Sequence, residues 1–186
     1  MTERDAGEYR ALRATIRERG TTRVWLFVVG LAAWAALVVA TAALAALPIA
    51  TLLPLLFLAA VFEAVLALHI GVERIGRYIE VFLEDDDGWE HITTAYGRAF
   101  RGGSDPLFTL VFAGTAILNF VPALLAEPVL IEVLVIGVAH LLFVVRIAIA
   151  RREAGRQREE DLARFERLKN AVQKRDAPER SEMADG

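Results

Sequence analysis

Cysteine is absent from the 186 residues, lysine occurs twice and histidine three times. Without cysteine there is no disulfide framework, no thiol nucleophile and no thiolate metal site. Three histidines fall short of the histidine-rich ligand set of a membrane di-metal oxygenase. His69 and Glu73 have the spacing of two ligands on one helix face, but no third ligand stands near them in the sequence. The GxSxG elbow, the HExxH pair and the GxxxxGK[ST] phosphate loop are all missing. Catalytic, metal and cofactor-binding residues are therefore expected to be none, and the sequence leans away from an enzyme. Charge of one sign is lacking as well, with 21 basic against 24 acidic residues and a net charge of −3. Nucleic acid is not an expected partner, because the arginine-rich segments have anionic lipid to face instead.

What the chain does have is hydrophobicity in unbroken runs, 55% by count, with the charged 24% lying mostly between them. Residues 24–47 contain no charge and only Gly30 and Thr41 besides apolar residues. A second run covers 49–72, broken by Thr51, Pro54, Glu63, His69 and Gly71; the third covers 107–126 and the fourth 129–150. At about 1.5 Å per residue each spans roughly 30 Å of hydrocarbon, where only a helix satisfies every backbone amide. The expected fold is an all-α integral membrane protein with four transmembrane helices in two hairpins, 24–72 and 107–150, and amphipathic cytoplasmic helices. Pro48 and Glu127–Pro128 mark the tight connections, since proline ends one helix and suits the first turn of the next.

The basic residues orient the chain. Six arginines precede Val24, four lie at positions 74, 77, 98 and 101, and eleven basic residues follow from Arg146 onward, which accounts for all 21. Neither hairpin loop has one, so the positive-inside rule places both termini and the central segment in the cytoplasm. The first run is too long for the core of a cleaved signal peptide. The excess of arginine over lysine, with abundant alanine, fits a prokaryotic plasma (inner) membrane.

The cytoplasmic parts are 1–23, 73–106 and 151–176, with 177–186 expected as a disordered tail. In the first, Thr2 and Asp5 are spaced for a capping box, Tyr9, Leu12 and Ile16 form an apolar stripe among arginines, and Gly20 is placed to end the helix. A basic amphipathic helix of this kind lies on anionic headgroups. In the central segment Ile75, Tyr78, Ile79, Phe82 and Leu83 extend the second helix, and Glu73 with Arg77 forms an i, i+4 pair. Asp85-Asp86-Asp87-Gly88 reads as a solvated turn, because it lacks the alternating ligands of a calcium loop. Trp89, Ile92, Tyr96 and Phe100 mark a short helix ending near Gly102–Gly103, and Asp105–Pro106 would cap the third span. Leu162, Phe165, Leu168 or Lys169, and Val172 form a thin stripe expected to pack on the central segment or on a neighbouring copy.

Polar residues inside the apolar runs are the candidate site. By depth from the prolines, Glu63, Asn119 and His140 fall in one band and form an expected intramembrane polar cluster. His69, Glu73, Arg74 and Arg77 stand at its cytoplasmic mouth, with Glu63, Arg74 and Arg77 on one line of the second helix. Two roles compete: a polar path for an ion or proton, or a structural hydrogen bond between helices. Ala32, Ala36, Ala40 and Ala43 form a small-residue stripe suited to a helix contact or an oligomer seam. The weight of amphipathic sequence on one side favours a homo-oligomeric membrane scaffold with a cytoplasmic protein partner; a small channel or carrier is the alternative.

Overall fold

The computed structural model describes residues 2–44, 47–85, 87–99 and 107–184. Phe100, Gly102–Gly103 and the Asp105–Pro106 cap lie outside them. The described residues form five α-helices and one 3-10 turn, with no strand among them: α1 (Glu3–Leu44), the 3-10 turn (Pro48–Thr51), α2 (Leu52–Phe82), α3 (Trp89–Ala99), α4 (Leu107–Leu125) and α5 (Leu130–Ala184). Four of these helical segments are long and apolar enough to cross a membrane.

Local chemistry sets the boundaries. The Thr2 amide donates to the Asp5 carboxylate at 2.8 Å and the Asp5 amide to the Thr2 hydroxyl at 3.2 Å, closing the expected capping box. Pro48 opens the 3-10 turn, and Pro54 falls in the first turn of α2, where a missing amide hydrogen does no harm. Glu127, at φ 51, takes the left-handed conformation that lets the chain leave α4, and the Val129 amide donates to the Glu132 side chain at 3.0 Å at the start of α5.

Two expected boundaries differ. Gly20 does not end a helix: α1 passes through it without a positive φ, so nothing there turns the chain out of the helix. The backbone of α5 is helical through Ala184, across most of the segment expected as a disordered tail and past Pro178.

The chain divides into two compact units, Arg19–Ile70 with Asp105–Glu153, and Met1–Glu18 with Gly71–Ser104 and Ala154–Gly186. The first is an apolar bundle whose core includes Leu55, Leu58, Val61, Phe62, Val65, Phe112, Ala116, Phe143 and Ile147. An aromatic chain runs through all four of its helices. Phe27 meets Phe108 at 4.7 Å and Phe112 at 5.6 Å, while Phe62 meets Phe112 at 5.2 Å and Phe143 at 5.8 Å, each edge to face. Gly30 lets α1 close onto α2, since a Cβ there would stand 2.5 Å from Val61 Cγ1. The alanine stripe at 32, 36 and 40 points away from the bundle instead, because Phe27, Gly30 and Trp34 already set the inward face.

The second unit is held largely by charge. Arg13 bridges Glu84 at 2.8 Å and Glu90 at 2.6 Å, Tyr9 donates to Glu84 at 3.1 Å, and Tyr78 donates to Glu8 at 2.7 Å. The first turns of α1 thus carry the Tyr9 side of the helix onto the 83–90 region. From α5, Asp161 takes Arg74 at 3.1 Å, Lys169 donates to the Val81 carbonyl at 2.6 Å, and the Phe165 ring packs edge to face on Tyr78 at 5.8 Å.

Candidate functional site

The three residues of the expected intramembrane cluster fall into two groups. Asn119 of α4, 1% exposed, is the hub of the first. Its Nδ2 donates to the Thr51 carbonyl at 2.9 Å and lies 3.1 Å from His140 Nε2, while its Oδ1 accepts from Trp34 Nε1 at 3.1 Å. His140 Nδ1 lies 2.8 Å from the Ile136 carbonyl. A carbonyl only accepts, so Nδ1 carries the proton and Nε2 accepts from Asn119. Both amide hydrogens of Asn119, its oxygen and both ring nitrogens of His140 are therefore used. The cluster links α1, the 3-10 turn before α2, α4 and α5, and the Phe120 ring stands edge to face on His140 at 5.1 Å.

Glu63 does not join that cluster. It faces Arg146 of α5, with Arg146 Nε to Glu63 Oε1 at 2.8 Å and Arg146 Nη2 to Oε2 at 2.8 Å. This is a two-pronged pair in which the arginine fork matches the carboxylate. Similar depth brought Glu63 together with Asn119 and His140 in the sequence, but the angle around the helix separates them. The pair is on the outer side of the bundle, its side chains 47% and 38% exposed.

The expected mouth residues also part. His69 Nδ1 lies 2.9 Å from Arg23 Nη1, and the Arg23 guanidinium sits 5.4 Å over the Phe108 ring. Arg77 is buried with Glu80 and also donates to the Thr94 hydroxyl. Glu73 is 3.8 Å from Arg77 and 2.8 Å from Arg158, and Arg74 is spoken for by Asp161. These charges serve the second unit as cross-links. Among the described residues no group of three His, Asp or Glu side chains gathers as a metal site.

Trp34 was not marked in the sequence as part of the cluster. The available signal was an indole N–H in the middle of an apolar run, a donor that needs an acceptor once buried. The Thr51 carbonyl carries no sequence signal at all.

No family model, curated protein or solved structure matches the chain.

Proposed function

We propose that the chain is a multi-pass protein of the plasma membrane, with both termini and the central segment in the cytoplasm. It acts there as a homo-oligomeric scaffold whose cytoplasmic face meets anionic headgroups and a protein partner. The observation that carries this reading is the complete internal pairing of the Asn119–His140 cluster. A group that moves an ion or a proton needs an open coordination position or a water, whereas every donor of this cluster is spent on an acceptor within the bundle. Such a cluster fixes packing, each bond contributing about 0.6 kcal/mol in a membrane.

Removing residues 154–186 tests the reading. The truncated chain keeps all four apolar helices, loses Asp161, Phe165 and Lys169 from the charged unit, and is expected to insert while losing its partner and its self-association. An unchanged partner set in the truncated form would count against the scaffold.

The small channel or carrier retains one supporting observation. Glu63 and Arg146, 47% and 38% exposed, stand in the second and fourth apolar runs, and ionisable groups within such runs are commonly functional. That reading requires a flux dependent on Glu63.

A further inference from the structure

Arg23 of α1 is a fixed cation without an acid. Its Nη1 lies 2.9 Å from His69 Nδ1 on α2, and its guanidinium sits 5.4 Å over the Phe108 ring on α4. A guanidinium only donates, so the ring nitrogen accepts and brings no negative charge. Phe108 offers a π face, which holds a cation without neutralising it. The buried Nε has no hydrogen-bond partner, and among the described residues no carboxylate reaches the side chain. Arg146, in the same unit, has Glu63 on both prongs instead.

Arg19 stands one turn away, about 5.4 Å along α1, exposed and in the same unit as Arg23. Like charges at i, i+4 repel, and no described side chain serves this pair as counter-ion. Both costs have one remedy, an anion bound to the two arginines. A phosphate fits, because its oxygens accept the parallel N–H bonds of an arginine fork.

The surroundings favour a lipid over a free ion. Arg23 directly precedes the first apolar run, His69 is near the end of the second and Phe108 is at the start of the third, so the three meet at one end of the runs. With the runs across a bilayer, that end borders the headgroups. Next to Arg23 along α1, Val24, Trp25, Val28 and Val29 are exposed. An acyl chain covers such a surface and a free ion does not, and tryptophan is a residue type of the headgroup level.

We propose that Arg23 and Arg19 hold the phosphate of an anionic phospholipid, with its acyl chain along the exposed valines of α1. The inference rests on the membrane-scaffold reading and assigns a site to the headgroups that this reading invokes.

Native mass spectrometry of the full chain in detergent, offered equal amounts of phosphatidylglycerol and phosphatidylcholine, reads the lipid retained. Phosphatidylglycerol is expected to be kept in preference, and Arg23→Gln and Arg19→Gln are each expected to lower its retention about fivefold, with Arg167→Gln unchanged. Arg19 has no described bond to lose, so its variant decides the matter even where Arg23→Gln does not fold. Equal retention of the two lipids, or the same retention in Arg19→Gln as in the wild type, overturns the site. Inorganic phosphate that binds through Arg19 while phosphatidylglycerol is not retained makes the site one for a free ion and overturns the lipid. In either case insertion and partner binding, measured on the same variants, still support the scaffold. A wild-type chain that does not enter the membrane overturns both.

Discussion

Asn119 Nδ2 lies 3.1 Å from His140 Nε2, and through that contact the third and fourth apolar helices share one buried carboxamide. The same carboxamide reaches Trp34 and the Thr51 carbonyl, so a single side chain of α4 is tied to α1, to the 3-10 turn before α2 and to α5. Replacing it takes away the bond it makes with each of three partners, Trp34, the Thr51 carbonyl and His140.

Asn119→Leu is therefore expected to destabilise the bundle by about 2 kcal/mol, three bonds at about 0.6 kcal/mol each, read as a lower unfolding midpoint in dodecyl sulfate. Trp34→Phe keeps the ring and loses one bond, and should move the midpoint by about a third as much. Nitrogen-15 spectra of the wild type should show His140 with its proton on Nδ1; an Nε2–H signal would contradict the geometry.

Gly30 and Val61 are coupled by shape. Gly30→Ala places a Cβ 2.5 Å from Val61 Cγ1, and overpacking of this kind is expected to destabilise by about 1–3 kcal/mol. Val61→Ala opens space at that point, so the double variant should be more stable than the sum of the two single changes implies. Strict additivity in a double-mutant cycle would show that the two helices do not meet there.

Much of this architecture is legible in the sequence, and the parts that are not share a cause. Apolar runs, the Thr2–Asp5 box and the prolines at 48 and 128 are local signals, and they fall where the helices run, start or break off. Which way a helix faces is not local. The stripe Trp89, Ile92 and Tyr96 marks α3 as a helix, but that its Glu90 is buried while the stripe is exposed depends on Arg13, far away in sequence. The alanines of α1 suit a helix contact or an oligomer seam, yet Phe27, Gly30 and Trp34 set the face that α1 turns to the bundle. Depth along the helices put Glu63 beside Asn119, but only the packing gives the rotation that hands Glu63 to Arg146.

Arg13 is the clamp of the charged unit. Arg13→Ala would leave Glu84 and Glu90, whose side chains are 7% and 11% exposed, without their cation. Breaking a buried pair from one side costs about 3–5 kcal/mol. Amide exchange in residues 87–99 should accelerate while the core helices around Phe112 keep their protection. Protection of α3 unchanged in the variant would show that it is held by other contacts.

The proposed topology predicts opposite labelling at two exposed positions. With an impermeant maleimide on intact cells, Glu127→Cys should react at once and Arg167→Cys only after the membrane is opened. The reverse pattern would place the charged unit outside the cell.

The most direct test of the account is ion and proton flux through the purified protein in sealed liposomes. A structural bundle with Asn119 and His140 fully paired predicts a flux equal to that of empty liposomes, with Glu63→Gln making no difference. A wild-type flux above that background, abolished by Glu63→Gln in a protein that remains folded, would contradict the scaffold and make the Glu63–Arg146 pair the working site.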